Sequence, residues 1–269
     1  MLCLHGFTGT PFELHPLADD LAGRGYLVEA PTLAGHGTDV AALESTGWRD
    51  WLRSAEDAFD ALAARTPGRV AIVGCSMGGL LALRLARSHP QRVSALAVLS
   101  VPLWLRAPHE RGIRFLAAIP RALRWGPLRA LPKIFGSNVS DLEMRRRNPT
   151  LRAMPISALN SLVDLMEVVR ADLPAIRTSA LVVHGRHDRT VPIASSVALA
   201  DRLALAFDGP DAAPATTGPG GGPSPRDPRP VLQRLWLERS CHLVGIDVER
   251  EALNATVARF FAEHARWQH

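Results

Sequence analysis

The hexapeptide Gly74-Cys75-Ser76-Met77-Gly78-Gly79 constrains this chain more than any other stretch of it. It fits G-x-S-x-G, and its flanks are the ones that pattern needs. The apolar run Val70-Ala71-Ile72-Val73 precedes it and a helical pattern, Leu80–His89, follows. A serine at such a point stands on a tight turn from strand to helix. Gly74 and Gly78 leave room where side chains would collide with the neighbouring strand and helix. The turn exposes the Ser76 hydroxyl beside a helix N-terminus, whose amides face developing negative charge. The bland alternative is an ordinary glycine-rich turn, because a bare G-x-S-x-G is common by chance.

The surrounding pattern favours the strand-to-helix reading. Strand candidates are Leu2–His5, Tyr26–Ala30, Arg69–Gly74, Val93–Ser100, Ala180–His184 and Val231–Glu238. Most are continuous apolar runs without polar alternation, as expected for strands covered on both faces. Helical patterns lie near 11–24, 47–65, 77–88, 192–206 and 248–264, the last opened by Asp247, Glu249 and Glu251. This alternation predicts an α/β fold: a mostly parallel sheet of about six strands with helices on both faces. Residues 103–175 interrupt it with helical pieces broken by prolines 108, 120, 127, 132, 149 and 155. They read as an inserted helical cap over the carboxyl edge of the sheet, between core segments 1–102 and 176–269. Within the second segment, 12 of the 23 residues in 208–230 are Pro or Gly, which reads as a flexible surface insertion.

A serine hydroxyl needs a base, and the base needs an orienting carboxylate. In this architecture the chain order is serine, acid, histidine. Asp188 follows the buried strand candidate Ala180–His184, and His242 follows Val231–Glu238, both on the side where Ser76 emerges. Their separation fits one helix and one strand once the Pro/Gly stretch is set aside. The expected triad is therefore Ser76, Asp188 and His242. Asp164 and Asp172, inside the cap, are weaker substitutes for the acid. The alternative of a metal site at His184, His187 and Asp188 finds no further converging ligands. The oxyanion needs two N–H donors. Met77, after the nucleophile, and Phe7, in the loop His5-Gly6-Phe7-Thr8-Gly9, are the candidates.

Composition narrows the class. Hydrophobic residues make up 47% of the 269, too many for a disordered chain, and no apolar run suggests a membrane span or a signal peptide. Cys3, Cys75 and Cys241 fit neither a metal spacing nor a disulfide framework, so a reducing cytoplasm is the default location. The net charge is +5, and all but one of the 31 basic residues, Lys133, are arginine. That excess reads as compositional bias, with no nucleic-acid partner expected. The stretch 103–154 holds 11 basic and three acidic residues. It reads as a solvated cap face, the alternative being peripheral contact with an anionic membrane surface.

With these residues in hand, the chain resembles the α/β-hydrolase superfamily, and within it the bacterial carboxylesterases and monoacylglycerol lipases. His5–Pro11 resembles their oxyanion loop, Pro31-Thr32-Leu33-Ala34-Gly35-His36-Gly37 their P-x-L-x-G-H-G loop, and Trp48-Arg49-Asp50-Trp51 the motif leading the next helix. Gly74–Gly79 resembles their nucleophile elbow, and Asp188-Arg189-Thr190-Val191-Pro192 their acid loop. Ser240-Cys241-His242 with Asp247 resembles their S-x-H-x-x-x-x-D ending. The resemblance implies a carboxylic ester hydrolase for short- or medium-chain acyl esters or monoacylglycerols, with a small-molecule or lipid ester as partner and no metal or organic cofactor. Thioesterase, lysophospholipase and C–C hydrolase activities use the same triad, and a non-catalytic binding protein on this fold is the alternative of another class. The family's usual N-terminal β-hairpin is missing before the His-Gly strand, so the start at Met1 is expected to lie inside a longer reading frame.

Overall fold

Runs of apolar residues with no polar alternation form strands only where both faces of a sheet are covered; four such runs do so here, and a fifth, partly polar strand lies at the edge. The computed structural model describes residues 1–66, 68–105, 107–120, 129–133, 137–208 and 229–265. Strands β1 (Leu2–Leu4), β2 (Val70–Cys75), β3 (Val93–Leu99), β6 (Ser179–Gly185) and β7 (Leu232–Leu237) form one parallel sheet in that order. Alternate side chains enter two separate cores. Leu2, Leu4, Ile72, Leu96, Val98 and Val182 face helices α3 (Trp48–Arg65), α4 (Met77–Ser88), α7 (Ile156–Asp172) and α8 (Ile193–Asp208), with Leu43 of α2 (Val40–Glu44) in the same core. Cys3, Val73, Cys75, Ala97, Leu99 and Val183 face α1 (His15–Gly23) and α9 (Arg250–His264). The expected architecture of a parallel sheet with helices on both faces is the one observed.

Two expectations are adjusted. Tyr26–Ala30 does not become a sixth full strand; it makes a single parallel bridge, Leu2 to Glu29. Cys3 N–H donates to Glu29 O at 2.8 Å and Glu29 N–H to Met1 O at 2.9 Å. The next donor in that ladder would be Pro31, which has no N–H, so pairing stops. The last helix starts at Arg250 rather than 248. Asp247, fully buried, instead accepts N–H bonds from Ser140, Asp141, Cys241 and Val248, tying the end of the chain to the inserted segment.

That segment runs between β3 and β6. It holds α5 (Ala107–Ala118), α6 (Leu142–Arg147) and a small antiparallel pair, β4 (Ala130–Pro132) with β5 (Ala153–Pro155). It meets the core at the loops that follow β1, β6 and β7. Leu151 N–H donates to Thr8 O, and Asn138 Oδ1 accepts from Arg189 and His242 N–H. It therefore lies over the carboxyl edge, as a cap. Its last helix, α7, buries Leu162, Leu165 and Met166 in the main core. Most of the Pro/Gly stretch, 209–228, lies outside the described residues, as do 121–128 of the basic cap piece.

Candidate active site

The turn between β2 and α4 carries the strain that its sequence announces. Ser76 has φ 53° and ψ −116°, a conformation that a residue with a side chain adopts at a cost of ~1–3 kcal/mol. Two close backbone approaches make it feasible. A Cβ on Gly74 would lie 2.3 Å from Gly78 O, and one on Gly78 would lie 2.0 Å from Leu4 O. The helix can thus start directly against β1 and β2. Ser76 N–H donates to Leu99 O of β3 at 2.8 Å, which pins the turn to the next strand as well.

The Ser76 hydroxyl meets His242. His242 Nε2 lies 3.1 Å from Ser76 Oγ, and Nδ1 lies 2.7 Å from Asp188 Oδ2. The carboxylate can only accept, so Nδ1 carries the proton and Nε2 is left to accept from the hydroxyl. The imidazole is buried, and burial works against its charge. The Asp188 carboxylate, and behind it Glu13, outweigh that and hold it above the usual histidine range, with Lys133 opposing. Asp188 is itself almost completely enclosed, with 1% of its side chain exposed. Burial favours its neutral form, but His242 and the N–H of Val191 hold it below the ordinary aspartate value. Its Oδ1 accepts from Thr190 N–H at 2.7 Å and Val191 N–H at 2.8 Å, which fixes the loop after β6.

The other histidines have different partners. His184 is buried in β6, with Nδ1 2.8 Å from Ser196 Oγ and Nε2 3.2 Å from Val191 O; burial lowers its pKa. Its Nε2 also lies 3.4 Å from Asp188 Oδ2, the same oxygen that meets His242 Nδ1. His187 is exposed in the loop. Among the described residues, no group of three or more His, Cys, Asp or Glu side chains converges as a metal site. Asp164 pairs with Arg114 and Asp172 with Arg84, so neither is the acid facing His242.

The loop after β1 closes the other side. His5 is buried and pushed down to about 3, by burial first and then by His36. It stays neutral, accepting from Leu33 N–H at Nε2 and bonding Gly6 O through Nδ1. The Phe7 ring packs against Trp51 and His36. Among the described residues, neither Phe7 N–H nor Met77 N–H donates to a protein acceptor.

Three further residues reach this site without a motif to announce them. Glu13, 2% exposed, accepts from Gly6 N–H at 2.8 Å. Lys133 of the cap bonds Thr8 Oγ1 and Thr150 Oγ1. Asn138 accepts the backbone N–H of His242 at 2.8 Å. A carboxylate between Phe12 and Leu14, and one lysine among 30 arginines, are the only traces they leave in the sequence.

Comparisons with known proteins agree on the kind of molecule. A family model described as serine aminopeptidase, S33, matches residues 1–208. A thermostable monoacylglycerol lipase of Bacillus sp. (strain H-257) is 33% identical over 200 residues, 71% of each chain. A carboxylesterase of Bacillus subtilis (strain 168) is 24% identical over 260 residues, 97% of this chain and 91% of that one. Among solved structures, one from work on LipS and LipT, two metagenome-derived lipolytic enzymes, superposes with a TM-score of 0.76. It is 26% identical and covers 98% of this chain and 93% of its own.

Proposed function

The chain belongs to the serine aminopeptidase S33 family and has the α/β-hydrolase fold, and from that premise we propose that it hydrolyses carboxylic esters through an acyl-enzyme on Ser76. The observation that carries this reading is the His242 imidazole, bonded at one nitrogen to Ser76 and at the other to Asp188. His242 takes the Ser76 proton as Oγ attacks the ester carbonyl. The Phe7 and Met77 N–H groups receive the oxyanion, and Asp188 holds the tautomer and stabilises the imidazolium. His242 then returns the proton to the leaving alcohol, and water hydrolyses the acyl-enzyme by the same route.

The relatives' names, lipase and carboxylesterase, favour acyl esters or monoacylglycerols as substrate over amides. The organisation that accompanies this reading is a core of 1–102 and 176–269 under a cap of 103–175, which sets acyl and alcohol preference. Ser76→Ala is expected to lower turnover of a short-chain nitrophenyl ester by at least ~10³-fold and to abolish labelling by a fluorophosphonate probe. Near-normal turnover or persistent labelling in that variant would overturn the assignment. A panel of acyl lengths offered as esters and thioesters then sets the substrate class.

A further inference from the structure

Thr8 follows Phe7 directly and sits at φ 65°, in the left-handed region that a β-branched residue avoids. Such a conformation persists only where its surroundings over-determine it. Here the surroundings are the cap. Thr8 O accepts from Leu151 N–H at 3.0 Å and from Thr150 Oγ1 at 3.1 Å. Thr8 Oγ1 donates to Phe7 O and accepts from Lys133 Nζ, which also donates to Thr150 Oγ1 at 2.8 Å. The small sheet brings these groups together. Pairing of β4 with β5 continues as Lys133 N–H to Arg152 O, at 2.8 Å, so Lys133 lies beside Thr150 and Leu151. The unit is anchored to the core by Arg129, whose guanidinium bonds the Glu44 carboxylate.

The opposite side of the loop is fixed from below. Glu13 accepts the Gly6 N–H, and a Cβ on Gly9 would lie 2.1 Å from Glu13 Oε1, so the loop can wrap this carboxylate only with glycine there. Gly9 N–H to Gly6 O, at 3.1 Å, closes the turn. Burial opposes charge on both Glu13 and Lys133, and each partly restores the other's. The peptide that presents Phe7 N–H is thus held between a core carboxylate and a cap ammonium.

We propose that Lys133, with Thr150, is a positioning residue: it locks Thr8 in its left-handed conformation and so aims the Phe7 N–H at the oxyanion. The cap then acts on the transition state as well as on substrate choice. This rests on the serine hydrolase reading above and deepens it. The Lys133 ammonium, with three donors, serves both hydroxyls at once.

The test compares wild type, Lys133→Met and Thr150→Val on a nitrophenyl ester and on the matching thionoester, whose carbonyl sulfur makes little use of oxyanion donors. Both variants are expected to lose ~10- to 100-fold in kcat on the ester, less than the whole of a lost donor. KM should stay within about twofold of wild type, as for an interaction made only in the transition state. The ester-over-thionoester ratio should fall in step with kcat. An unchanged ratio, or a raised KM at unaltered kcat, would overturn the proposal, the second outcome marking Lys133 as a substrate contact instead. If Lys133→Met does not fold, Thr150→Val carries the same comparison. Ser76→Ala run in parallel separates the levels. An inert Ser76→Ala beside a wild-type-like Lys133→Met removes this inference alone, whereas an active Ser76→Ala removes the reading beneath it.

Discussion

In the proposed mechanism His242 gathers the chemistry of the site at one residue, and its surroundings make a pH signature. A general base works only when unprotonated. Because Asp188 and Glu13 hold its proton affinity up against burial, the acid limb of kcat/KM should inflect above the ordinary histidine value of ~6.5, with activity lost as pH falls through that point. Glu13→Gln removes one of the two raising charges, so its inflection should move to lower pH. A limb that stays in place in a pH–rate comparison of the two proteins would show that the Glu13 charge does not reach the imidazole. Ser76, Asp188 and His242 are legible in the sequence because each follows a strand, where local pattern fixes position. Glu13 and Lys133 are not, because their roles depend on contacts across the fold. Lys133 meets Thr8 over a separation of 125 residues, through a hairpin whose strands have three residues each.

At the scale of elements, four of the five strands are readable for a simple reason: burial on both faces leaves no polar alternation to confuse with a helix, whereas the edge strand β7 carries Gln233 and Arg234. The sixth candidate looked similar in composition, yet one missing N–H at Pro31 reduced it to a bridge. The pair β4 and β5 gave no signal, since strands this short carry no period and both end in proline. The elbow is where elements constrain one another most tightly. Gly78→Ala would push a methyl onto the Leu4 carbonyl, so backbone must move. A loss of ~1–3 kcal/mol in a denaturant melt is expected, together with loss of fluorophosphonate labelling. A variant that melts and labels as wild type would mean that α4 can withdraw from β1 without disturbing Ser76.

For the molecule as a whole, the excess of positive charge in the cap sequence is less free than it looks. Arg114 binds Asp164 and Glu167, Arg129 binds Glu44, and Arg147 binds Glu143. Phe115 is 72% exposed, but its helix neighbour Arg114 is committed inward. No helix among the described residues is long and apolar enough to cross a membrane. These pairs favour a solvated cap face, and the protein is expected to stay in the supernatant when anionic vesicles are sedimented at physiological salt. Pelleting with anionic but not neutral vesicles would establish a membrane-facing cap.

The sheet order has a consequence in time. Strand β3 ends at Leu99, and β6, which covers its open edge, begins only at Ser179. At ~5–20 residues per second, a ribosome takes on the order of 4–16 seconds to deliver the missing neighbour. Throughout that interval the nascent chain carries a strand that is apolar but for Ser94, with an unpaired edge, so expression should depend on holdase chaperones and on how quickly the codons of the cap are read.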